Sequence, residues 1–199
     1  MYKQTKDYMT SRDIKAMETR EKIYQASLRV LEKKGFHDLK ISDICKEAGV
    51  SVGSFYHYYT SKNDVLFSHY ARFDDFFLEK TDAVTGDSAS ERILCFFRLY
   101  CDFLLSLSLE LNKQWFAPSS RPEIPKERYT YDLLERLIRD GQSDGQITEA
   151  METAVIVQNL MLFARGVVLD WLCQNGSYDL REKMSRIMSH VLTLYLPEH

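Results

Sequence analysis

The sequence has few prolines and glycines, the residues that interrupt helices. Its 199 residues include only four prolines and eight glycines, and these are scattered along the chain. No stretch alternates apolar and polar residues for long enough to form a convincing strand. Long segments without a helix breaker remain, and they predict an all-α protein of about nine helices.

Motifs for catalysis and metal binding are also missing. The chain has no GxSxG turn, no paired His/Glu motif and no glycine-rich phosphate loop. The five histidines are dispersed, and the four cysteines (Cys45, Cys95, Cys101 and Cys173) show no CxxC spacing. We therefore expect no enzyme activity, no metal and no cofactor, and we interpret the cysteines as buried thiols on apolar helix faces.

Segments for secretion or membrane insertion are not evident. The N-terminus lacks the apolar stretch of a signal peptide. The most hydrophobic long segment, 154–172, is interrupted by Gln158, Asn159, Arg165 and Asp170, so we expect it not to span a bilayer. This pattern predicts a cytoplasmic protein.

The segment 41–62 has the pattern of two short helices joined by a tight turn. Ile41, Ile44, Cys45 and Ala48 follow helical i, i+3, i+4, i+7 spacing, and Val52, Phe55, Tyr56 and Tyr59 repeat it. Between the two sets, Gly49 can end the first helix and Ser51 can cap the second. The pattern predicts a helix-turn-helix whose outer surface suits a DNA groove.

The charge distribution agrees with this prediction. Residues 1–62 hold twelve Lys or Arg against eight Asp or Glu, a net charge of +4, whereas residues 63–199 hold fourteen against twenty-one, a net charge of −7. The positive end is the end with the helix-turn-helix, as DNA binding through phosphate neutralisation requires.

The string AGVSVGSFYHYYTSK, preceded by TREKIYQASLRVLEKKGF, resembles the N-terminal domain of TetR-type transcriptional regulators over roughly residues 18–66. The resemblance implies a three-helix DNA-binding domain followed by a helical domain that dimerises and binds a small effector. We accordingly expect a polar N-terminal arm at 1–17, the helix-turn-helix domain at 18–62 and the effector-binding and dimerisation domain at 63–199. Disorder of the arm and its insertion into the minor groove both stay open.

We expect nine residues of the N-terminal domain to meet DNA. The resemblance implies that Val52, Gly53 and Ser54, which begin the second helix of the helix-turn-helix (the recognition helix), approach base edges. It implies that Tyr56, Tyr58 and Lys62 contact the DNA backbone, and His57 could serve either role. The serine of the preceding helix could cap that helix, or the helix start could fray. The nine residues are Lys40, Ser42, Val52, Gly53, Ser54, Tyr56, His57, Tyr58 and Lys62.

The remainder of the chain has the pattern of further helices. A linker helix should run from Asn63 to about Ala83, and in the family this helix transmits the effector signal. The proline-rich segment 112–125 suits a loop or short helix beside a pocket. The candidate pocket residues are Phe73, Phe77, Phe97, Tyr100, Cys101, Trp115, Phe116, Asn159, Phe163 and Arg165. The candidate dimer interface is the apolar stripe Leu180, Met184, Ile187, Met188, Val191 and Tyr195.

Together these features predict a DNA-binding transcriptional regulator that acts as a homodimer. The resemblance favours a repressor that a small, largely apolar effector releases from a pseudo-palindromic operator. Two alternatives remain at this stage, an activator and a DNA-binding protein that needs no effector.

Overall fold

A computed structural model describes residues 10–116 and 128–197, and these residues form nine α-helices and no strand. The prediction of an all-α fold with about nine helices is confirmed. The chain divides into two compact units, Met1–Tyr70 and Ala71–His199. The helices are α1 Ser11–Asp38, α2 Ile41–Ala48, α3 Val52–Tyr58, α4 Lys62–Glu79, α5 Ala89–Leu105, α6 Leu109–Phe116, α7 Tyr129–Ser143, α8 Thr153–Cys173 and α9 Leu180–Leu192.

The first helix starts earlier than expected. Thr10 caps α1 by accepting a hydrogen bond from the Asp13 amide, and the Asp13 carboxylate accepts one from the Thr10 amide. This capping box starts a helix within the segment 1–17 that we predicted as an arm, so that prediction is wrong for residues 11–17. The part of the arm at 1–9 lies outside the described residues.

The three N-terminal helices share a small core. The buried side chains of α1 include Ile23, Ala26 and Leu31, and α2, which packs on α1, buries Ile44 and Ala48. Two exposed ion pairs, Arg29–Glu47 at 2.8 Å and Lys34–Asp43 at 2.9 Å, also link α1 to α2. This compact unit extends to Tyr70 inside α4, eight residues beyond the boundary predicted at 62.

In the second unit α5 is a core helix, because nine of its seventeen side chains are buried. It packs against α7 and α9, while α8 packs against α7 and α9 as well. The apolar segment from 89 to 116 forms two helices, α5 and α6. The Ser106 hydroxyl donates to the Phe103 carbonyl where α5 ends, and the Ser108 hydroxyl accepts from the Leu111 amide where α6 begins. These serine–backbone bonds compete with helix continuation.

Of the described helices, α8 is the one whose length and apolar composition would allow it to cross a membrane. Half of its most apolar window is buried inside the protein's own fold. Ile156, Leu160 and Val168 are completely buried there, as in the core helix of a helical domain.

Candidate nucleic-acid interface and effector site

The turn between α2 and α3 is fixed by its backbone hydrogen bonds. Gly49 follows α2 with φ at 63°, a left-handed conformation that glycine adopts without steric cost. The Val50 amide donates to the Cys45 carbonyl at 3.0 Å and the Gly49 amide donates to the Lys46 carbonyl at 3.3 Å. This pair of bonds is a Schellman motif, and it directs the chain away from α2 into the second helix.

Ser51 then caps α3, because its hydroxyl accepts a hydrogen bond from the Ser54 amide at 3.0 Å. Phe55 and Tyr59 face the core, with 0% and 2% of their surface exposed. The Tyr59 hydroxyl also donates to the Arg20 carbonyl at 3.3 Å. These contacts hold α3 firmly by one side and present its other side outward.

The outward side of α3 contains most of the residues expected at DNA. Val52 and Tyr56 are 48% and 54% exposed, and Gly53 and His57 are exposed as well. Helical spacing alone groups Val52 and Tyr56 with Phe55 and Tyr59, whereas the structure exposes the first two and buries the others. The rest of the unit covers only the side that holds Phe55 and Tyr59. Ser54 and Tyr58 are half-buried at the edges of the outward side.

Gly53 has room for a side chain within the protein. A methyl group at this position would lie 3.9 Å from the Ser51 hydroxyl, which is an ordinary van der Waals distance. The fold therefore does not require glycine here. A small residue on an exposed recognition helix instead allows the helix backbone to come close to another molecule.

Lys62, which the resemblance places at the DNA backbone, makes contacts within the protein itself. Its ammonium donates to the carbonyl oxygens of Phe36 at 3.0 Å and Leu39 at 3.2 Å, and it lies 4.5 Å from the centre of the Phe36 ring. The side chain is half-buried and two of its three N–H donors are used. Lys62 therefore attaches the start of α4 to the end of α1 and to Leu39, and at most one of its N–H donors is left for a phosphate.

Other cations lie nearer the exposed surface. Lys40 is exposed at the start of α2, where its side chain makes no capping hydrogen bond. Ser42 is exposed one residue into α2 and does not cap it, since Lys40 is the N-cap residue. Sequence reasoning missed Lys22, whose ammonium would lie 3.8 Å from a methyl group added at Gly49, beside the helix-turn-helix turn.

Residues 23–68 match the family model for bacterial regulatory proteins of the tetR family. Residues 23–68 form a TetR-type DNA-binding domain. The protein is a DNA-binding transcriptional regulator, and the matched residues run from the core of α1 through the helix-turn-helix into α4.

Two relatives are themselves regulators, and one aligns with most of this chain while the other aligns with a short segment. The chain is 25% identical over 166 residues to the fatty acid metabolism regulator protein of Bacillus subtilis, an alignment that covers 79% of this chain and 86% of the relative. It is 48% identical over 46 residues to the uncharacterized HTH-type transcriptional regulator YvdT of the same organism, covering 23% of this chain and 24% of that protein.

Among solved structures, the chain is similar to the transcriptional regulator FadR from Bacillus subtilis, crystallised in complex with stearoyl-CoA. The TM-score is 0.74 at 20% identity, with 87% of this chain and 97% of that chain covered. At this identity the likeness shows a shared fold: a TetR-type helix-turn-helix followed by a helical domain.

Five of the expected effector-site residues are buried in the C-terminal unit. Phe73, Phe77, Phe97, Tyr100 and Cys101 are at most 8% exposed. Phe73 makes an edge-to-face contact with Tyr100, with ring centres 5.4 Å apart. Burial raises the pKa of the Cys101 thiol to about 12, so this group is neutral at physiological pH. The expected residues on α6, Trp115 and Phe116, are half-buried.

Two expected effector-site residues on α8 are not part of this interior. Phe163 is 44% exposed, and Asn159 is half-buried with its amide 3.9 Å from the Met151 sulfur. Phe163 follows the exposed Leu162, and Asn159 lies one helical turn before Phe163. Asn159 and Phe163 therefore both lie on the outward side of α8. Their assignment to the pocket is corrected.

Arg165 does face other polar groups of the interior. The side chain is half-buried and donates from Nη1 to the Tyr131 hydroxyl at 3.2 Å. Sequence reasoning missed the neighbouring pair of Arg128, 6% exposed, and Asp74, which are joined by two hydrogen bonds of 3.1 Å. No local sequence signal could have found this pair, because 54 residues separate its members.

The expected dimer stripe on α9 is also corrected. Five of its six residues, Leu180, Met184, Met188, Val191 and Tyr195, are at most 8% exposed within the single chain, and Ile187 is half-buried. These side chains are already covered because α9 packs against α5 and α8. Of the six, Ile187 alone keeps a substantial surface that a partner subunit could contact.

The exposed apolar stripe is on α8 instead. Val155, Leu162 and Leu169 are 38%, 63% and 41% exposed, and a methyl group at Gly166 would meet nothing within 4 Å. With Asn159, these residues follow alternating spacings of four and three, which place them along one side of a helix. We call these five residues the α8 stripe. The spacing is visible in the sequence, but its exposure is not.

A surface cleft of about 220 Å³ lies between α5 and α9. Its lining combines apolar residues with two arginines and a glutamate: Leu94, Phe97, Arg98, Arg181, Glu182, Met184 and Ser185. Arg181 also pairs with Asp102. Among the described residues no group of three or more His, Cys, Asp or Glu side chains is arranged to hold a metal ion.

Proposed function

We propose that this regulator is a homodimeric, cytoplasmic repressor that binds a pseudo-palindromic operator and leaves it when an acyl effector binds. The exposed side of α3, with Val52, Gly53 and Tyr56 pointing outward, carries the DNA-binding part of the proposal. Helices presented in this way enter the major groove.

The chemistry of α3 predicts how DNA is read. Val52 and Gly53 offer apolar contact, such as contact with thymine methyl groups, and no hydrogen-bond donor for a base edge. Tyr56 and Tyr58 have hydroxyls that can bind phosphates, and the Lys40 and Lys22 ammonium groups add positive charge. Sequence preference then depends strongly on DNA shape and on apolar contacts.

The α8 stripe supports a second copy of this chain as its partner. Apolar residues at alternating spacings of four and three interdigitate well with the same pattern on another helix. A closed two-fold dimer buries the stripe of both subunits in one isologous interface. It also supplies two recognition helices, one for each half-site of a palindrome.

An acyl effector is supported by the apolar interior and by one relative. The aromatic side chains of Phe73, Phe77, Phe97 and Tyr100 are clustered in the C-terminal unit. The structurally similar FadR from Bacillus subtilis was crystallised with stearoyl-CoA. A long acyl chain is chemically compatible with an interior of this composition.

The operator experiment starts from genomic DNA fragments selected by the purified full-length protein. We expect the bound fragments to share a two-fold symmetric sequence, and stearoyl-CoA to release the protein while coenzyme A alone does not. A reporter whose promoter overlaps the operator should be repressed. Bound fragments without two-fold symmetry, or a reporter that is activated, would contradict the proposal.

The dimer is tested by Leu162→Glu, because a charge at the most exposed position of the α8 stripe opposes burial. Sedimentation at micromolar concentration should change from dimer to monomer, and operator affinity should fall. Leu78→Glu is the matched control, since Leu78 is 39% exposed on α4 and lies off the stripe. A dimer that persists in Leu162→Glu would rule out this interface.

A further inference from the structure

Asp74 and Arg128 attach the C-terminal part of α4 to the start of α7. Arg128 donates from Nε to Asp74 Oδ2 and from Nη2 to Asp74 Oδ1, each at 3.1 Å. The same carboxylate accepts hydrogen bonds from the Thr130 amide at 3.2 Å and from the Thr130 hydroxyl. Four hydrogen bonds therefore meet at one carboxylate on α4.

A second arginine lies close to this attachment. Arg165 donates to the hydroxyl of Tyr131, the residue after Thr130. Asp74 pairs with Arg128, whereas no carboxylate among the described residues pairs with Arg165. A half-buried guanidinium without a carboxylate is unfavourable, and this favours an anion at Arg165.

Tyr100 connects the two arginines to the apolar interior. Burial raises the pKa of its hydroxyl, and the charges of Arg165 and Arg128 act in the opposite direction, so both guanidiniums lie within electrostatic reach of it. The described residues supply no hydrogen bond to this hydroxyl. Phe73 completes the wall, since its ring lies 5.4 Å from the Arg128 guanidinium and packs edge-to-face on Tyr100 and Phe103.

The arrangement has the features of a site for an amphipathic anion. The aromatic rings can hold an apolar chain, while Tyr100, Arg165 and Arg128 can donate to a carboxylate or phosphate. A guanidinium binds carboxylates in a bidentate manner, so a second anion can take the place of Asp74 at Arg128.

We propose that the effector is an amphipathic anion that binds Arg165 and displaces Asp74 from Arg128. This inference rests on the proposed function, because it names the chemical class of the effector and the contact through which it acts. Loss of the Asp74 hydrogen bonds detaches α4 from α7, and α4 is one helix from Lys62 to Glu79. The effector thereby favours a conformation of α4 with lower operator affinity.

The first test needs no effector. Asp74→Asn removes the carboxylate that pairs with Arg128, so we expect operator affinity to fall by about tenfold or more, the size of a typical allosteric coupling. Asp75→Asn, an exposed neighbour on α4, is the matched control and should bind like the wild type. A thermal melt checks that Asp74→Asn is folded. A folded Asp74→Asn protein with wild-type operator affinity would overturn the proposal.

The second test compares effectors of one chain length: stearate, stearoyl-CoA and the neutral octadecanol. Both anions should release operator DNA at concentrations at least about tenfold lower than octadecanol, since a charge-assisted pair contributes at least that factor. Release by stearate as well as stearoyl-CoA identifies a carboxylate as sufficient, whereas release by stearoyl-CoA alone assigns the site to the phosphates of the nucleotide.

The third test uses Arg165→Gln, a substitution of a half-buried side chain that should still fold. For each protein we measure the concentration of the active anion that releases half of the bound operator, relative to that protein's operator affinity without effector. This concentration should be about tenfold higher for Arg165→Gln than for the wild type. Arg165→Lys should restore part of the response. Equal release by octadecanol, together with an unchanged Arg165→Gln, would refute the anion site while leaving the acyl-responsive repressor intact. Operator binding that no probe relieves would refute both the effector and this site.

Discussion

The ammonium of Lys62 lies 3.0 Å from the carbonyl oxygen of Phe36 and 4.5 Å from the centre of its ring. One side chain thus binds both the backbone and the aromatic face of the residue that follows the Gly35 kink in α1. A lysine that the family resemblance assigns to DNA thus attaches the start of α4 to the end of α1 and to the segment before α2. Its contribution to stability can therefore be measured separately from any contribution to DNA affinity.

Lys62→Ala should therefore destabilise the protein. We expect a loss of about 1–2 kcal/mol in the free energy of unfolding, from hydrogen bonds to a charged group and a cation–π contact. Urea denaturation measures it. The matched control is Lys40→Ala, which should keep its stability but reduce the salt dependence of DNA binding by about one unit of slope. If Lys62→Ala reduces that slope and leaves stability unchanged, Lys62 contacts phosphate instead.

Gly53→Ala should have opposite effects on stability and on DNA binding. The fold has room for the methyl group, and alanine is favoured over glycine in a helix by up to about 1 kcal/mol. The protein should melt at the same or a higher temperature while operator affinity falls, because the methyl group holds the α3 backbone away from the bases. Gly49→Ala is the contrasting variant, since its φ of 63° disfavours alanine and the melting temperature should fall. Unchanged operator affinity in Gly53→Ala would show that this position does not approach DNA.

Gly141→Ala should destabilise the C-terminal unit. A methyl group on this residue of α7 would lie 2.7 Å from Ala89 Cβ and 2.8 Å from Ile147 Cδ1, so the packing of α5 on α7 must shift. Overpacking of this kind costs about 1–3 kcal/mol. Chemical denaturation checks it, with the exposed Ser143→Ala at the end of α7 as control. A Gly141→Ala protein as stable as the wild type would mean that this contact is looser than described.

Cys101 should resist alkylation in the folded protein. Its thiol is fully buried and its pKa is raised to about 12, so little thiolate forms at pH 8. Iodoacetamide should label Cys101 only in urea, while the exposed Cys173 reacts in the native state, as mass spectrometry would reveal. Because the folded pKa is raised, the associated stability is complete below the ordinary thiol pKa of 9.0 and is lost as the pH rises towards 12. Labelling of native Cys101 at pH 8 would contradict its burial.

The sequence by itself determined the helical fold, the helix-turn-helix and its turn. Helical periodicity, the Gly49 stop and the Ser51 cap act between residues a few positions apart, so the chain records them locally. The spacing of Phe55 and Tyr59 also places them on one side of α3, and that side is buried. The capping box of Thr10 and Asp13 is also a local signal, although the polar composition of residues 1–17 indicates an arm.

Only the tertiary structure decided which apolar stripes are covered and which polar groups meet. The stripes of α8 and α9 both have helical spacing, yet α5 and α8 cover the α9 stripe and leave the α8 stripe exposed. Asp74 and Arg128 are 54 residues apart, and Lys62 and Phe36 are 26 apart. Contacts over such distances depend on how the helices pack against each other, and periodicity within one helix contains no information about its neighbours.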